Sequence, residues 1–60
     1  MDSLQIIEHA RQLFAAHGDK AEAEAAQKAS SFEAEGDNEQ AEIWKKVRAA
    51  IHEMRQGHES

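Results

Sequence analysis

The chain has no cysteine, no proline and no tyrosine, and among its 60 residues only three are aromatic and three are glycine. Without cysteine a disulfide is impossible and thiolate metal sites are excluded. Without proline, the breaks between regular elements fall to glycine and its neighbours. No stretch approaches the ~20 apolar residues of a membrane span. No basic segment followed by an apolar one opens the chain, so the expectation is a cytoplasmic protein with no membrane partner. Large apolar residues are scarce as well. Leu, Ile, Val and Phe together number nine, or 15% of the sequence, a level at which charged chains can stay unfolded. A domain this short buries only ~60% of its unfolded surface, so its stability is marginal unless something is added.

Twelve alanines and a periodic apolar pattern stand against disorder, since alanine is the best helix former. The formal charge is −5, which argues against generic nucleic-acid binding. That charge is uneven. From Asp19 to Glu42 there are eight acids against two lysines, and from Lys45 to Arg55 four bases against one acid.

Two stretches, HGDKAEAEA at 17–25 and EGDNEQAEI at 35–43, share a Gly-Asp pair eighteen residues apart. Gly18 and Gly36 suit the left-handed residue that ends a helix. Asp19 and Asp37 suit the acceptor that starts the next one, and Glu22 and Gln40 stand three residues on, as in a capping box. Asp2 with Gln5 is a weaker third instance. The punctuation predicts helices over 3–17, 20–35 and 38–56, with 57–60 as a frayed tail.

The faces agree with those bounds. At about 100° per residue, Ile6, Ile7, Ala10, Leu13, Phe14 and His17 form one stripe, and Ile43, Trp44, Val47, Ala50, Ile51 and Met54 another. The middle helix offers only Ala21, Ala25, Ala29 and Phe32, a small face that lets a neighbour approach closely. One all-α domain is expected, a three-helix bundle or an orthogonal three-helix array, with Trp44 and Phe14 at its centre. Leu4 and Ala15 fall off the stripe as exposed apolar contacts.

Catalytic motifs are missing. The serines (Ser3, Ser30, Ser31, Ser60) lack a nucleophile elbow, and no glycine-rich phosphate cradle occurs. Glu22, Glu24, Glu33 and Glu35 read as a solvated acidic face rather than an acid/base pair, which would need an apolar pocket. HEMRQGH at 52–58 lacks the second histidine four residues after the first, so His52 and His58 do not form a helical zinc pair. His9 and His17 lie two turns apart, and His17 is better placed to meet the negative end of its helix. No enzyme activity, cofactor or metal is expected.

The cations of the last helix carry the functional reading. Lys45, Arg48, His52 and Arg55 fall within about 80° on one face beside Trp44. They could grip an acidic partner or phosphates, or they could neutralise the acidic middle helix of the same molecule, aided by Glu42 with Lys46. Trp44 is either a core residue or an interface anchor.

The G-D-x-x-x-A spacing, as Gly18-Asp19…Ala23 and Gly36-Asp37…Ala41, resembles the inter-helix turn of tetratricopeptide repeats. The likeness is confined to the turn, because the period of eighteen is not that family's ~34. HGDKAEAEAA followed by GDNEQAEIWKKVRAAIHEM is similar, over most of the chain, to small uncharacterised helical proteins of alphaproteobacteria. There a tryptophan stands seven residues after the second Gly-Asp aspartate, as Trp44 follows Asp37 here. The resemblance implies a stand-alone compact helical protein and transfers no catalytic or ligand residue.

The expectation is a small non-catalytic protein–protein interaction or regulatory module, self-associating as a homodimer or binding another protein. Trp44, Lys45, Arg48, His52 and Arg55 are its interaction residues, with Val47 and Ile51 as core or interface. The alternatives are a nucleic-acid-linked regulator using the basic stripe, or an acidic mimic that occupies a basic protein.

Overall fold

A computed structural model describes residues 3–56. The expected capping pair of Asp2 with Gln5, the tail 57–60 and His58 lie wholly or partly outside them. Three α-helices follow one another: α1 Ser3–His17, α2 Lys20–Ala34 and α3 Asn38–Gln56. The middle helix stops one residue short of the expected end, where Glu35 becomes its C-cap.

The two Gly-Asp joints are built differently. Both glycines take the left-handed conformation, Gly18 at φ 61° and Gly36 at φ 83°. After α1, a single Gly18 N–H bond to the Phe14 carbonyl (2.8 Å) closes the turn, and the Gly18 carbonyl then accepts from Ala21 N–H at 3.0 Å. Asp19 is already helical, at φ −61° and ψ −22°, and its side chain makes no capping bond. Its expected role is therefore corrected: the glycine carbonyl does the work assigned to the aspartate. After α2 the chain makes the paired Schellman bonds, Asp37 N–H to the Phe32 carbonyl (2.8 Å) and Gly36 N–H to the Glu33 carbonyl (3.0 Å). That wider turn frees Asp37 to act as a cap, and its carboxylate accepts from Gln40 N–H at 3.2 Å.

Packing follows the faces with three exceptions. Ile6 and Ala10 of α1, Ala21 and Ala25 of α2, and Val47 and Ile51 of α3 form the buried core. Ala29 and Ala41 are buried too, the latter unforeseen because it precedes the α3 stripe. The bulkiest fully enclosed side chains are Ile51 and Val47, so the centre is not Trp44 and Phe14, which pack against it half-buried. The physical reason is size: an alanine face on α2 brings the helices close, and a close seam admits Val and Ile but leaves larger rings at its edge. Ile7 is the third exception, 41% exposed at the border of its stripe.

Ion pairs fix the relative direction of α2 and α3. Glu22 meets Arg55 and His52, and Glu33 meets Lys45. Helices touching side by side over about 15–20 Å, at 1.5 Å per residue, are antiparallel neighbours. This removes the orthogonal alternative for that pair, and the architecture is a three-helix bundle.

Candidate functional site

Each of the three seams of the bundle is finished differently, and the difference follows from which residues flank the apolar stripes. Along α2–α3 the border is ionic. Glu22, with only 16% of its side chain exposed, receives Arg55 on Oε1 and His52 on Oε2. With its proton on Nδ1, His52 donates to Glu22 at 3.0 Å and accepts at Nε2 from the Gln56 amide at 3.2 Å. Arg55 also lies 3.9 Å from the exposed Asp19. Two turns away Lys45 bonds Glu33, with Glu42 at 3.8 Å. The expected Glu42–Lys46 pair is thus replaced by Glu42–Lys45, because Lys45 is already drawn toward the acids of α2.

Three of the four side chains of the basic stripe are therefore engaged within the molecule. Among the described residues Arg48 has no ionic partner. It borders a shallow depression of about 300 Å³ with Glu22, Lys45, Ala49, His52 and Glu53. The depression brings the basic stripe together as expected, but with two carboxylates among the cations. Its chemistry is that of a neutralised seam rather than of a phosphate grip.

The charges of this ladder set two proton affinities. The Arg55 hydrogen bond holds the Glu22 carboxyl below its ordinary 4.5, against an opposing effect of burial and with a further contribution from His52. Glu33 raises the Lys45 ammonium above its ordinary 10.5. Since the folded value of Glu22 is lowered, its contribution to stability is present above about pH 4.5 and is lost as pH falls through the folded value. Glu22→Gln is accordingly expected to lower the melting temperature near pH 7, and the gap from the parent chain is expected to narrow as pH falls below 4.5. Thermal melts on the two sides of that value check this, and a gap independent of pH would sink it.

The α1–α2 seam is closed by polar and aromatic groups. His17 lies 3.3 Å from Glu24, beside the turn it was expected to cap by its charge alone. Trp44 reaches the same side from α3. Its ring meets His9 edge-on, with centroids 5.0 Å apart and planes at 66°, and Lys28 stands 5.9 Å from its centroid. Neither neighbour was legible in the sequence, since both depend on where α3 lays its tryptophan. Trp44 is thus a half-buried residue of α3 whose ring meets one side chain of α1 and one of α2.

Between α1 and α3 the contact of the His9 and Trp44 rings is accompanied by apolar side chains. On α1, His17 meets α2 and His9 meets Trp44 of α3, while helical spacing puts Phe14 and Ile7 on the other flank with Leu4 further round. On α3 the cations face α2, and Ile43, Ala50 and Met54 lie on the opposite flank, each half-buried. Leu4 is 67% and Ile7 41% exposed. No ion pair between α1 and α3 occurs among the described residues, and the apolar character of this side runs out to the surface.

Val47 and Ile51 are enclosed, so neither can serve an interface. Among the described residues no group of three His, Asp or Glu side chains is placed to hold a metal ion, and no helix is long and apolar enough to cross a membrane. Neither the protein-family models nor the curated proteins nor the solved structures compared with this chain match it.

Proposed function

We propose that the chain is a small non-catalytic interaction module of the cytoplasm that binds protein through the apolar α1–α3 flank, and that it is related to the alphaproteobacterial helical proteins it resembles. The observation that carries this reading is the exposure of Leu4 and Ile7, on a helix that makes no ion pair with α3 among the described residues. Exposed apolar side chains are common singly, but here two stand on adjacent turns of α1. The basic stripe gives little support to nucleic acid, because Lys45, His52 and Arg55 are matched by carboxylates of α2. For the same reason Glu22 and Glu33 are poor phosphate mimics.

A photo-crosslinking side chain placed at position 4 tests the reading in living cells, with one at Ala23 as the control. Ala23 is exposed on α2, away from the flank. Adducts at position 4 and few at position 23 are expected. Equal yields at both, or none at either, would remove the α1–α3 flank as a binding surface.

A further inference from the structure

We draw no further inference here: the strongest candidate, the surface patch of α1 around the exposed Leu4 and Ile7, is an unpartnered apolar face, and nothing in the structure shows what covers it.

Discussion

Ile51→Ala leaves the chain largely unfolded at room temperature, with the helical circular dichroism and the cooperative melt both lost. Ile51 is fully enclosed where all three helices meet. Shortening it removes three buried carbons and leaves a void that a seam of alanines cannot close, because alanine has no rotamer with which to fill it. Such truncations cost about 2–5 kcal/mol. A single core in a chain this short supplies no more than about 3–5 kcal/mol in total, so the loss consumes most of it. Trp44→Ala removes a much larger side chain yet is expected to melt higher than Ile51→Ala. The indole is only partly buried, beside His9 and Lys28, so less is lost than the about 3–5 kcal/mol of an enclosed aromatic. Thermal melts of the two variants at one chain concentration decide the order. A tryptophan variant less stable than the isoleucine variant would return Trp44 to the centre of the core.

Ala25→Leu is the second large effect, and its sign runs against helix propensity. Leucine forms helix nearly as well as alanine, so the isolated α2 segment would not suffer. In the folded chain the Ala25 side chain is fully buried in a core cluster shared with α1 and α3. Three added carbons have no space there, and overpacking of this kind costs about 1–3 kcal/mol, occasionally more. The neighbouring Ala23→Leu is the control. Its side chain is exposed, and substitutions there are expected to stay within about 0.5 kcal/mol. Denaturant titrations of both variants read the difference. Equal stabilities would mean that the alanine face is a filler of helix rather than a fitted surface.

Alanine at 21, 25 and 29 bears on how much could be read before any coordinates. Helix positions were legible because their signals are local: glycine where φ must be positive, an acid after it, and apolar residues returning every three or four positions. The same local signal was ambiguous at Asp19 and Asp37, which sit in identical dipeptides. Asp37 caps after a turn closed by two bonds and Asp19 does not after a turn closed by one.

The candidate site was legible as a list of charges and not as an arrangement. Lys45, His52 and Arg55 were visible as a stripe, and Glu22 and Glu33 as acids of the middle helix. Their mutual neutralisation appears only when α3 is laid antiparallel on α2. Conversely, Ile7 looked like core because it borders the stripe of α1. Its exposure follows from the narrowness of the seam, which has room for Ile6 and Ala10 but not for a third row.

By itself, then, the sequence determined three helices, their joints and the small face of α2, because those depend on backbone conformation and on spacing within about four residues. Tertiary structure alone decided which side chains became the centre, which charges cancel and which apolar flank stays open. Those outcomes depend on distances between helices, and residues far apart in the chain set those distances jointly.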